Sequence, residues 1–289
     1  MKKPRWLDWR VVEERGVQVL MGLSLALVVG SLLLIVGTVL ARGLPFLNLD
    51  MITKTPEGGF YLGKAGGVLN AILGSLYLGV AATLLALMAS LPIVFYINTY
   101  VAPRSRIARI TRLAMDILWG VPSIVYGAFG FLIMLAFGLR ASLGAAIVTV
   151  AIFELPIMVR AMDEVMQMVP RELEDASLSL GATSLETCWH VAMRQAAPGL
   201  LTAILMAFGR GIGDTASVLF TAGFTDRVPT SLGQPAATLP LAIFFQLGTP
   251  YPEVQGRAYA SAAILTVLIL GISLIARFLG RWYSRNVIR

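Results

Sequence analysis

Six stretches of the chain are apolar at nearly every position: residues 17–40, 69–97, 113–138, 141–161, 197–220 and 258–279. A helix needs about 20 apolar residues to cross the hydrocarbon core of a bilayer. The pattern predicts six membrane-spanning helices. The third and fourth are separated by a few residues around Arg140, which predicts a tight hairpin. The first run is longer than the 7–15-residue apolar region of a signal peptide and is followed by no small-residue cleavage site. It reads as an uncleaved first span.

Polar residues between the runs set the orientation. Segments 1–16, 98–112, 160–196 and 277–289 hold sixteen Lys and Arg, whereas 41–68 and 221–257 hold five. That asymmetry follows the positive-inside rule and predicts both termini in the cytoplasm. The chain then divides into a cytoplasmic tail (1–16), a first helix with its outer loop (17–67), a membrane core (68–280) and a second tail (281–289). The two outer loops are rich in Gly and Pro, with PEGG at 56–59 and PYPE at 250–253.

The inner segment 162–194 has another pattern. Leu173, Leu178 and Leu180 supply apolar positions, Pro170 suits a first turn and Gly181 a C-terminal cap. Thr183 with Glu186 fits a capping box for a second short helix that runs into the fifth span. The expected element is helix–glycine–helix, protruding between two spans either as an interfacial linker or as a docking surface.

Composition agrees with the membrane reading. Hydrophobic residues make up 57% and charged residues 13%, against about 25% charged in a globular domain, and the mean hydropathy is +0.79. The formal charge of +7 raises nucleic acid as a partner. However, the basic cluster RSRIARITR at 104–112 lies just inside a span, where such residues anchor topology. A lipid bilayer is the expected surroundings, and nucleic acid is not an expected partner.

Catalytic patterns are missing from the sequence. Gly209, Gly211 and Gly213 have neither a following G-K-[ST] nor a preceding strand, so they do not form a phosphate loop. There is no G-x-S-x-G and no H-E-x-x-H, and Cys188 and His190 are the only residues of their types. No catalytic residue, metal or cofactor is expected in this chain.

Charges inside apolar runs are the remaining candidates. Arg210 lies about 18 Å along a helix that begins near Pro198, and Asp214 follows one turn later. An arginine at such depth costs about 2.5–3.5 kcal/mol on insertion scales. It should therefore face a cavity or a partner. One reading is a self-neutralising Arg210–Asp214 pair between helices that touch at Gly209 and Gly213. The other is an anion site, with the guanidinium offering planar, charge-assisted bonds. Arg160, near the inner end of the fourth span, either snorkels to headgroups or lines a pathway. Glu154 is deeper and calls for an arginine partner, on this chain or another. Pro122 and Pro156 bend or start helices and shape the packing around the pathway.

The stretch from Pro170, PRELEDASLSLGATSLETCWHVAMRQAAPG, resembles the EAA loop of binding-protein-dependent ABC importer permeases. Glu174 leads into Asp175, Ala176 and Ser177, which stand at the family's Glu-Ala-Ala triplet, and Gly181 matches its glycine. Val191 matches the aliphatic position, while Met193 and Arg194 replace the frequent Leu-Pro. GVPSIVYG, ELPIMVRAMDEVMQMVP, GRGIGDTASVLFTAG and SLGQPAATLPLAIF look like a phosphate-importer permease of the PstA type, with Asp214 replacing the usual glutamate. The similarity runs from about residue 66 to the C-terminus.

The resemblance implies an all-α, type I ABC importer permease fold in the inner membrane, working by alternating access. It implies a heterodimer with a PstC-type permease, two cytoplasmic ATPases that bind ATP and Mg²⁺, and a periplasmic phosphate-binding protein. It also implicates Arg210 and Arg160 in phosphate passage. Permeases for sulfate, molybdate or phosphonate, and an intramembrane enzyme, are the alternative functions.

Overall fold

A computed structural model describes residues 9–57, 65–102 and 105–283. The outermost parts of the expected tails, 1–8 and 284–289, lie outside the described residues, as do the end of PEGG and Arg104. Five helices are long and apolar enough to cross a membrane, or six if one sharply bent pair forms a single span.

Helix α1 (Trp9–Gly43) carries no charge between Gly16 and Ala41, and its apolar positions run all round its surface. It rests on α11 (Pro252–Tyr283), and its most hydropathic window is otherwise unburied. A helix apolar on every side and uncovered by protein belongs against lipid. A short helix α2 (Leu49–Thr53), capped by the Asn48 side chain, follows. The antiparallel pair β1 (Pro56–Glu57) and β2 (Ala65–Gly66) then closes the loop.

Helix α3 (Leu69–Phe95) ends in a wider turn at Tyr96–Tyr100. It buries a row of small residues, including Ala82 and Ala86, and packs against α6 (Leu143–Gln167), the most buried of the candidate spans. Small side chains allow close approach where no hydrophobic force separates protein from lipid. Helix α6 also packs on α9 (Met193–Gly213), so α3, α6 and α9 form the centre of the molecule. Pro156 lies within α6 without ending it.

The expected third span is not one straight helix. Residues Arg106–Gly120 form α4 and Ser123–Ala136 form α5, with a 96° bend between them. Pro122 opens α5; it is exposed, so its place is at a helix start rather than at a helix contact. The bend follows from its missing N–H and fixed φ.

The fifth span also departs from expectation. Helix α9 stops at Gly213, where Asp214 adopts an extended conformation, and the apolar residues beyond it form turns. Residues 214–238 fold back onto α6: the N–H groups of Ser142, Leu143 and Gly144 donate to the carbonyls of Thr221, Gln234 and Leu232. Ala236 N–H donates to the Ala222 carbonyl, and the Leu239 N–H to Ser75 Oγ. Much of this segment is therefore buried, although its glycines and polar residues suggested an outer loop. Helix α10 (Leu239–Leu247) leads from it to α11.

The inner segment folds as expected. Helix α7 (Arg171–Ser179) begins after Pro170, and Gly181 takes φ +90°, a conformation that side chains other than glycine rarely adopt. Helix α8 (Ser184–Thr187) opens with the reciprocal capping box of Thr183 and Glu186.

Candidate functional site

Arg210 occupies the last turn of α9, three residues before the helix ends. The partial negative charge of the terminal carbonyls favours a cation there. Its guanidinium carbon lies 5.4 Å from the centre of the Phe153 ring, and Phe153 is fixed by Tyr126, edge to face at 5.6 Å. The arginine thus sits on an aromatic face and remains exposed. Among the described residues no carboxylate lies within ion-pair distance of it.

Asp214 is close in sequence but differently engaged. Its Oδ2 accepts the Ser217 N–H at 2.7 Å, as an N-cap residue does. The expected Arg210–Asp214 pair is therefore not formed. Helix periodicity would have put them on one face, but the helix ends between them.

The three glycines also divide differently. Gly209 and Gly213 have open space where a side chain would stand, so they make no helix contact within this chain. Gly211 is the glycine at the α6–α9 contact, and a Cβ there would collide with the Glu154 carboxyl and meet Val150 Cγ1 at 3.1 Å. Glu154 itself is 0% exposed and pairs with no arginine among the described residues. It points into the α3–α6–α9 core, away from the open face of α9.

Arg160 is neither snorkelling freely nor open. Asp116 lies 3.0 Å from it, Glu164 3.4 Å and Asp163 3.6 Å. Asp163, only 1% exposed, is the centre of this group. It takes two bonds from Arg112, at 2.8 and 3.0 Å, one from Asn98 at 2.9 Å and one from Gln167 at 2.7 Å. The network joins the end of α3, α4 and α6 directly beside the start of α7. Sequence reading missed Asp163, Arg112, Asp116, Asn98 and Gln167. The spacing of Arg160, Asp163, Glu164 and Gln167 at i, i+3, i+4 and i+7 marked one helix face; nothing local pointed to Arg112.

A cavity of about 500 Å³ lies between this network and α7, bordered by Arg112, Gln167, Arg171 and Glu174. Burial pushes the Glu174 carboxyl above its ordinary value, with Arg171 opposing that shift. Asp175 and Ala176 face solvent, while Ser177 is tied to Thr187 at 2.9 Å. Leu178, Leu180 and Leu185 are exposed beside them, Leu180 at 89%. Three leucines held outward on a capped helix–glycine–helix element form an apolar patch suited to a protein partner.

A family model described as "Binding-protein-dependent transport system inner membrane component" matches residues 99–289. The phosphate transport system permease protein PstA of Haemophilus influenzae is 32% identical over 276 residues, covering 93% of this chain and 94% of that protein. The PstA protein of Xylella fastidiosa is 35% identical over 246 residues, covering 84% and 83%. Among solved structures, an inward-facing MetNI methionine ABC transporter superposes with a TM-score of 0.61 at 20% identity, covering 75% of this chain and 95% of that one. A second MetNI crystal form gives 0.57.

Proposed function

The chain belongs to the binding-protein-dependent transport system inner membrane components and, within them, to the PstA phosphate permeases, and we propose that Arg210 is the residue that receives the anion. The chain is the permease subunit of an ATP-driven phosphate importer. Its place on Phe153, exposed and bound to no carboxylate, is the observation that carries this reading. The aromatic face stabilises the cation while the guanidinium edge stays available for two parallel bonds to an oxyanion.

Gly209, Arg210 and Gly213 lie on a side of α9 with space beside both glycines. That suits a pathway formed against a second permease, of the PstC type. Phosphate would then pass between two subunits and leave near Arg160, where three carboxylates surround the arginine. The cluster of three carboxylates with Arg160 and Arg112 carries a net negative charge, so it does not retain a dianion, which favours release to the cytoplasm. Asp214 contributes by ending α9 and leaving Arg210 at the helix terminus.

The α7–α8 element is the surface for the ATPases. The exposed leucines and the acidic Glu174–Asp175 pair supply its apolar and charged contacts, and the capping box keeps it rigid. Two ATPase subunits binding ATP and Mg²⁺ would drive alternating access, and a periplasmic binding protein would deliver phosphate. The positive-inside pattern supports an inner-membrane chain with both termini in the cytoplasm.

Uptake into vesicles containing the assembled importer tests the cargo. Labelled phosphate should accumulate with ATP, and excess sulfate, molybdate or phosphonate should not compete. Accumulation of another oxyanion in its place would overturn the phosphate reading.

A further inference from the structure

Glu154 is a carboxyl group that the transport pathway does not use. Its side chain leaves α6 inside the three-helix centre, where it is fully buried. Both carboxyl oxygens lack a hydrogen-bond partner among the described residues, as does the Thr83 hydroxyl oxygen on the facing helix α3. From α9 the carboxyl meets Gly211, where the missing side chain leaves just the room that it fills.

Among the described residues no charged group balances it. Helices α3 and α5 carry no charged residue, and Arg210 of α9 lies over Phe153. Arg194, the other charge of α9, is exposed near its opposite end. Arg112 and Asp116 of α4 are bound to Asp163 and Arg160, as is Arg160 itself on α6. Arg160 lies six residues from Glu154, roughly 9 Å of helix rise. An ionised carboxylate in such surroundings is strongly unfavourable, and it neutralises rather than stay charged. As an acid it holds a proton that a small rotation brings to Thr83 Oγ1, satisfying both groups.

We propose that Glu154 is an intramembrane proton-binding site, neutral while α3, α6 and α9 are packed together and releasing its proton to water when α9 moves off α6. The second half rests on the alternating-access reading above. The O–H bond breaks, the electron pair stays on the carboxylate and the proton goes to solvent. Since the packed state binds one proton more than the opened state, acid favours the packed state. Where Glu154 ionises only in the opened state, each pH unit of increase shifts the equilibrium tenfold towards opening.

The test uses the full importer complex in lipid vesicles and needs no transported phosphate. Infrared spectra of the wild type and Glu154→Gln are compared at neutral pH, with and without trapping by ATP and vanadate. The wild type should show the C=O stretch of a protonated carboxyl that the variant lacks, and trapping should diminish it. If Glu154→Gln does not assemble, Glu154→Asp should shift the same band. Identical spectra in that region for the wild type and the assembled variant would overturn the proton site. A band that trapping leaves unchanged would overturn its link to opening. If the band behaves as expected while phosphate uptake fails, the cargo assignment falls and the proton site stands.

Discussion

Arg112 and Asp163 are joined side by side: Nε donates to one carboxylate oxygen at 2.8 Å and a terminal nitrogen to the other at 3.0 Å. The pair links α4 to the end of α6, five residues before the chain turns at Met168 and Val169 into the α7 element. Asp163 therefore ties α4 to the end of α6 from which the chain enters α7.

Replacing Asp163 with Ala should cost roughly 2 kcal/mol of stability. That is less than the 3–5 kcal/mol typical of breaking a fully buried pair, because Arg112 is partly solvated. Asp163→Asn, which keeps hydrogen-bonding capacity, should restore much of the stability. It should still leave ATP hydrolysis poorly coupled to uptake, because Arg112 and Arg160 lose their shared counterion. Thermal unfolding of the purified complex and the ratio of phosphate moved to ATP consumed measure the two effects. A full return of coupling with Asn would show that charge at this joint is irrelevant.

Gly211 gives a sterically defined test. Gly211→Ala places a methyl group against the Glu154 carboxyl and Val150. Overpacking of this kind typically costs about 1–3 kcal/mol. Gly211→Ala combined with Glu154→Ala should recover stability, since the second change removes the obstacle. Gly209→Ala should leave the fold of this chain unchanged, because its side has open space. Unfolding temperatures of the four forms decide the matter; equal losses from the two glycine variants would contradict the assigned contact.

What the sequence disclosed followed the range of the forces involved. The Thr183–Glu186 box and the Gly181 turn depend on neighbours within a few residues, and they are present as read. The long apolar helices were visible for the same reason. The end of α9 was not, because TASVLF continues the apolar run; Asp214 captures the Ser217 N–H, and residues far along the chain accept and donate the remaining bonds. Which of three glycines contacts α6 depends on the rotation of α9, set by its partner helix. Arg112 and Asp163 are 51 residues apart, beyond any local pattern. Glu154 was visible as a deep charge, but its lack of a counterion emerged only when α3, α6 and α9 were placed around it.

Arg210→Gln should leave the complex assembled, since the side chain is exposed and Phe153 loses only a cation above its ring. Phosphate uptake should fall about thirtyfold, the equivalent of about 2 kcal/mol for a charge-assisted bond. Arg210→Lys should recover part of the activity, because it restores charge without the planar fork. Uptake in vesicles, normalised to the amount of complex, measures both. Wild-type uptake by the glutamine variant would remove Arg210 from the pathway.

Leu180 is the most exposed of the leucines on the α7–α8 element, and the Gly181 turn holds it outward. A side chain so exposed adds nothing to the stability of this chain, so its replacement isolates the docking role. Leu180→Asp should leave the fold intact and reduce the ATPase retained on an affinity-tagged permease by at least about tenfold, or roughly 1.4 kcal/mol, the low end for burying a leucine. Thr183→Ala should act differently: losing the cap costs about 1 kcal/mol of local stability. Amide exchange across residues 184–192 should quicken while ATPase retention falls only modestly. If Leu180→Asp retained the ATPase as well as the wild type, the docking surface would have to lie elsewhere on the chain. Greater loss with Thr183→Ala than with Leu180→Asp would assign the contact to the shape of the element rather than to its exposed leucines.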